Sequence, residues 1–248
     1  MNYLDLFSGI GGFHLGLKMA GFNFDKVYYS DIEEYSNKVY AKNFPSAIPL
    51  GDVTKINPEE LPRIDIITGG FPCQDISCAG KQKGIKGERS GLFGEIIRIA
   101  SAVRPKVLFM ENVANLVSGG NGEWLYSVLA EINAIGYDAE WEVISASFVG
   151  APHRRKRIWI VAYPKRGRRS CQVSEHRKKT NNWPKPLATR SVLQGATAKH
   201  WEVEPEVGRV AHGIPKRVDR LKGLGNAVVP QVVQLIGEMI LSSGLLEA

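Results

Sequence analysis

Ile64-Asp65-Ile66-Ile67-Thr68-Gly69-Gly70-Phe71-Pro72-Cys73-Gln74 is the stretch whose reading decides the fold. Residues 64–68 are a short, mostly β-branched apolar run, which predicts a buried strand. Gly69 and Gly70 then let the backbone turn and approach a ligand closely, and Pro72 fixes φ immediately before the thiol. A lone cysteine is by default a small buried hydrophobe. Here it sits on a loop at a strand's carboxyl end, where an open α/β sheet forms its ligand crevice. Cys73 is therefore a candidate nucleophile.

Working outward, the amino-terminal unit repeats the pattern. A strand over 2–7 leads into Ser8-Gly9-Ile10-Gly11-Gly12, then an amphipathic helix from Phe13 to Met19 closed by Gly21. A dinucleotide fingerprint requires glycine at position 14, and this chain has His14. Asp5-Leu-Phe-Ser-Gly-Ile-Gly-Gly12 instead resembles the S-adenosylmethionine loop of the DNA cytosine-5 methyltransferases. A second strand, 26–30, ends at Asp31, an acid placed to accept hydrogen bonds from ribose hydroxyls. Ile32 follows as an apolar plate for adenine. Gly51-Asp52-Val53 closes a third βα unit, with Asp52 either a helix cap or the acceptor for an exocyclic amine.

Beyond Cys73 the segment 78–91 is polar and punctuated by glycine, the pattern of a lid that closes on substrate. A helix is expected over 92–103, ended by Pro105, and a buried strand over 107–110 that ends in Glu111-Asn112-Val113. Residues 122–135 read as a helix, and 140–147 and 157–163 as strands with Pro152-His-Arg-Arg-Lys-Arg157 between them. Arg155 and Arg157, on alternate positions entering a strand, are expected to point the same way.

The charge is concentrated. Residues 163–222 hold 15 Lys and Arg against 5 Asp and Glu, a net of +10 that leaves −3 for the remainder of a chain whose total is +7. One quarter of the protein thus reads as a polyanion-binding surface. The three cysteines, Cys73, Cys78 and Cys171, show no paired spacing, which argues against a disulfide framework or a zinc site and for a reducing cytoplasm. The strand at the amino terminus leaves no room for a leader peptide, and no apolar run approaches the length of a membrane span.

Phe71-Pro72-Cys73-Gln74, Glu111-Asn112-Val113 and Gly225-Asn226-Ala227-Val228, in that order, resemble the catalytic, acid and carboxyl-terminal motifs of the same methyltransferase family; Arg155 and Arg157 match its Gln-x-Arg-x-Arg pattern, with His153 in place of the glutamine. The resemblance covers 3–162 and 223–236. It implies an α/β, Rossmann-like S-adenosylmethionine-dependent sheet over 1–162, a small target-recognition domain over 163–222, and a carboxyl-terminal helix over 223–248 that returns to the first domain. Cys73 would attack C6 of cytosine, Glu111 protonate N3 and Arg155 steady the carbonyl at C2, with Arg157 beside them. Phe7, Ser8, Gly9, Gly11, Gly12, Asp31, Ile32, Asp52, Val53, Pro72, Leu92, Asn226 and Val228 would hold the cofactor. Gln74, Ser77, Lys81, Gln82, Lys83 and Arg89 of the lid, with Arg168, Arg169, Lys178 and Lys179 of the basic segment, would contact double-stranded DNA. No metal is implied. The expected protein is a monomer near DNA, with a restriction endonuclease as a candidate partner.

Three other readings compete: the same chemistry on transfer RNA, a nicotinamide-dependent oxidoreductase with a reactive thiol, and a DNA-binding protein on a retired scaffold. His14 and the basic segment argue against the second. The presence of Cys73, Glu111 and Arg155 argues against the third.

Overall fold

A computed structural model describes residues 1–72, 91–165 and 217–247. In chain order the strands are β1 (Asn2–Leu6), β2 (Lys26–Ser30), β3 (Ile48–Pro49), β4 (Ile66–Gly70), β5 (Val107–Val113), β6 (Tyr137–Ser145) and β7 (Lys156–Pro164). The helices are α1 (Gly12–Met19), α2 (Glu34–Asn43), α3 (Gly91–Val103), α4 (Asn115–Ser118), α5 (Glu123–Ala134), α6 (Arg217–Asn226) and α7 (Pro230–Ser242). The described strands form one sheet in the order β3-β2-β1-β4-β5-β7-β6. β1 to β5 run parallel, and β7 inserts antiparallel between β5 and β6.

The parallel strands are apolar on both sides, so alternate residues feed two cores. Leu4, Leu6, Leu108 and Met110 join Phe93, Ile96 and Ile99 of α3 and Val128 and Ile132 of α5 in one cluster. Tyr3, Val107, Phe109, Trp159 and Val161 join Phe13 and Leu17 of α1 and Val232, Val233 and Ile236 of α7 in the other. The expected Rossmann-like architecture is what these residues build. At Gly16 a Cβ would lie 2.5 Å from the Pro230 carbonyl oxygen, so only glycine lets α1 approach the start of α7 this closely.

Four boundaries differ most from expectation. The strand expected over 140–147 runs from Tyr137 to Ser145, because β7 pairs with it over that whole length and a 3-10 turn over Ala146–Val149 ends it. The strand expected over 64–68 is paired over 66–70, because Ile66 to Gly69 align with Tyr3 to Leu6 of β1. β5 continues through Glu111-Asn112-Val113, because β7 supplies an antiparallel partner for those three residues. The carboxyl-terminal return is two helices, and Gly223 lies inside the first of them. The segment Lys222–Ser242 has the length and apolarity of a membrane span, against the expectation that no such run exists. In the fold it is broken at 227–229, and Val232, Val233, Ile236 and Ile240 are buried in the α1 core, which accounts for its apolarity.

Candidate active site

The carboxyl edge of β1, β2 and β3 is one half of the site. After Leu6 the chain takes left-handed conformations at Phe7 (φ 53°), Gly9 (φ 53°) and Gly11 (φ 91°). For phenylalanine that conformation costs on the order of 1–3 kcal/mol, so surrounding bonds must hold it. Ser8 N donates to the Ser30 carbonyl at 3.1 Å, and Gly9 N donates to Asp31 Oδ2 at 2.7 Å. The other oxygen of Asp31 accepts from Glu33 N at 2.8 Å. Asp31 therefore ties the glycine loop to the end of β2. Asp52 caps the turn that follows β3, its Oδ1 accepting from both Thr54 N and Thr54 Oγ1 at 3.0 and 2.8 Å. These bonds hold its carboxyl below the usual aspartate range.

A cleft of about 590 Å³ runs beside Asp31, Ile32, Gly51 and Asp52. Ile32 is 73% exposed there. Ser8 Oγ is buried without a hydrogen-bond partner among the described residues, and a Cβ at Gly9 or Gly51 would meet nothing within 4 Å. An orphaned hydroxyl, two carboxylates, an apolar plate and open backbone fit an adenosyl group. Val53 is part of the adjoining core, and Phe7 and Leu92 pack against that core. Gly12 packs against Val228, and Asn226 is exposed at the end of α6. A wider cleft of about 1370 Å³ follows the glycine loop past Gly11 and Gly12 to His153, Arg155 and Val228.

The second half is built on β4, β5 and β7. Gly70 pairs with Glu111, which brings the acid beside the strand that leads to Cys73. Asn112 Nδ2 donates to the Phe71 carbonyl at 3.1 Å, fixing the backbone two residues before the cysteine. Glu111 is buried, and burial raises its carboxyl to about 7 against the opposing pull of Arg157 and Arg155. Arg157 Nε lies 2.9 Å from Glu111 Oε1. The register explains the encounter: Glu111 faces Trp159 across the ladder, and Arg157 is the diagonal neighbour on the same face.

The two arginines do not point together as expected. Arg155 precedes β7 with φ at 24°, outside the extended conformation that alternation requires, so its side chain leaves in another direction. Its Nη1 and Nη2 donate to the carbonyls of Gly225 and Ala227, each at 2.8 Å. Arg157 makes the ion pair with Glu111, and Arg155 acts on it through its charge alone.

Cys73, Gln74, Ser77, Lys81, Gln82, Lys83 and Arg89 lie outside the described residues, as do Arg168, Arg169, Lys178 and Lys179. Pro72, the last described residue before the cysteine, is exposed.

Beneath the glycine loop is a polar network that the motif reading missed. Thr68 Oγ1 donates to buried Asp5 at 2.7 Å and so must accept from Tyr3 OH at 2.6 Å. Tyr40 OH reaches the other Asp5 oxygen at 3.4 Å and contacts His14 Nδ1 at 3.0 Å. Burial raises Asp5 to about 7 and lowers His14 to about 4, so the imidazole is neutral. Charged and hydroxyl residues at 5 and 68, inside apolar strands, were the available signal.

The family model described as C-5 cytosine-specific DNA methylase matches residues 1–207. The chain belongs to this family. The methylase domain is 35% identical over 204 residues to the type II methyltransferase M.HhaI of Haemophilus parahaemolyticus, covering 82% of this chain and 59% of that protein. It is 36% identical over 167 residues to M.BsuFI of Bacillus subtilis, covering 66% and 39%. Among solved structures, a DNMT2 variant from Spodoptera frugiperda matches with a TM-score of 0.53 at 27% identity, covering 66% of this chain and 50% of that one. The Dnmt2 methyltransferase of S. pombe matches with a TM-score of 0.54 at 25% identity, covering 68% and 52%. The chain thus spans about half the length of the relatives it matches.

Proposed function

We propose that this protein transfers a methyl group from S-adenosylmethionine to C5 of a cytosine flipped out of double-stranded DNA, through a covalent bond between Cys73 and C6. The observation that carries this reading is the buried Glu111, with its carboxyl raised to about 7 and Arg157 2.9 Å away, on the strand beside the one that leads to Cys73.

Cytosine C5 is a poor nucleophile until a nucleophile adds at C6 and turns the ring into an enamine. Addition of the Cys73 thiolate builds negative charge on the ring, and a carboxylic acid that still holds its proton near neutrality can relieve it at N3. An ordinary glutamate would be ionised and useless as a donor there. Arg157 takes over the carbonyl-steadying part expected of Arg155: it is the cation beside the acid, whereas both terminal nitrogens of Arg155 are already engaged. Asn112 holds the backbone that leads to the thiol. Asp31, Ile32, Asp52 and Ser8 would hold the cofactor, which supplies an electrophilic methyl group when bound. Flipping the base costs roughly a few kcal/mol, and closure of the 78–91 segment would offset it. The basic segment 163–222 would grip phosphates.

DNA carrying 5-fluorocytosine tests the reading, because the fluorine cannot leave C5 as a proton does. With S-adenosylmethionine the protein should form an adduct that survives denaturation, Cys78→Ser should form it too, and Cys73→Ser should not. An adduct that persists in Cys73→Ser sinks the assignment.

A further inference from the structure

Arg155 spans two parts of the molecule far apart in sequence. Its guanidinium holds the carbonyls of Gly225 and Ala227, which flank Asn226 at the junction of α6 and α7. Its backbone is two residues before Arg157, the partner of Glu111. The left-handed φ at Arg155 shows that the surroundings impose its conformation. A planar fork with N–H donors on two nitrogens is pre-organised to satisfy two carbonyls at once. The junction has a second tether, Lys222 Nζ to Glu33 Oε1 at 2.7 Å, with both side chains about half exposed. A solvated ion pair of this kind contributes little.

We propose that Arg155 is a positioning residue for the cofactor: by clamping Gly225 and Ala227 it sets the Asn226 and Val228 wall of the pocket. This rests on the functional reading above, because it presumes that this wall meets S-adenosylmethionine. The clamp acts on the pocket wall and not on the reacting ring, so its loss should appear in cofactor affinity rather than in the chemical step.

The test uses the full chain and two readouts. The first needs no ligand. The Ala227 amide donates to the Gly223 carbonyl at 3.1 Å, and its hydrogen exchange should speed up tenfold or more in Arg155→Gln while staying unchanged in Arg157→Gln. The second is a split between affinity and rate. Arg155→Gln should weaken S-adenosylmethionine binding, titrated without DNA, by tenfold or more, yet keep the single-turnover rate at saturating cofactor within about threefold. Arg155→Lys, which can reach one carbonyl, should recover part of the affinity. Lys222→Ala should change affinity by less than about twofold.

Unchanged exchange at Ala227 in Arg155→Gln overturns the clamp. Intact cofactor affinity with a collapsed rate overturns the positioning role and returns Arg155 to the base. A loss in Lys222→Ala equal to that in Arg155→Gln overturns the special part given to the fork. A wild-type protein that binds no S-adenosylmethionine overturns the functional reading and the cofactor part of this one, and the exchange measurement then judges the clamp alone.

Discussion

The two halves of the sheet edge use the same functional group in opposite ways. At the ends of β2 and β3, Asp31 accepts from two backbone N–H groups and Asp52 from one backbone N–H and one hydroxyl, and the bonds to Asp52 hold its carboxyl below the usual range. At β5, Glu111 is buried and keeps its proton to about 7 although an arginine lies against it. Position at the carboxyl edge does not separate these acids. What separates them is whether folding surrounds the carboxyl with donors or removes it from water, and that difference divides a group suited to binding from one suited to proton transfer.

The largest effect should come from taking the proton away. Glu111→Gln keeps the shape and loses the titrating group, so the single-turnover methylation rate should fall by roughly 10² or more with cofactor affinity unchanged. The wild-type rate should decline as pH rises through about 7, where Glu111 ionises, and the residual rate of Glu111→Gln should lack that limb. A variant of near-normal rate would erase the contrast between the two halves.

Asp5 carries the contrast into the core. Its folded pKa of about 7 lies above the ordinary aspartate value, so the native state binds this proton more tightly than the unfolded chain. The associated stability is complete below the ordinary pKa and is lost as pH rises through 7. Linkage gives a slope of at most about 1.4 kcal/mol per pH unit per group, hence roughly 2 kcal/mol between about pH 5.5 and 7. Denaturant titrations across that range should show the loss in the wild type and less of it in Asp5→Asn.

On the cofactor side the changes should be smaller and confined to binding. Asp31→Ala removes a carboxylate that accepts two backbone N–H bonds and should weaken S-adenosylmethionine by on the order of 1–3 kcal/mol, titrated without DNA. Asp52→Ala should weaken it by only a few-fold, because the bonds of that acid stay within its own turn. A larger effect at Asp52 than at Asp31 would reverse the ranking drawn from their surroundings.

Much of this was legible in the chain. Apolar runs ending in glycine turns or acids predict a parallel sheet with a ligand edge, because period and turn chemistry are local properties. His14 argued against the dinucleotide loop by spacing alone, and the family motifs singled out the acid, the thiol and the residues proposed for the cofactor. The same local logic failed at Arg155 and Arg157. Alternation assumes a strand, and the left-handed backbone at Arg155 breaks it one residue before β7 begins.

By itself the sequence determined which chemical groups reach the edge and in what order, since strand, turn and helix signals are written in neighbouring residues. Only the tertiary structure decided what state those groups are in: that β7 extends β5 through Glu111 and sets Arg157 diagonally against it, that Arg155 turns away to the α6–α7 junction, and that Asp5 is enclosed with Thr68, Tyr3, Tyr40 and His14. Protonation and pairing depend on burial and on partners 26 to 72 residues away in those contacts, from Tyr40 beside His14 to Ala227 beside Arg155. No local pattern encodes that distance.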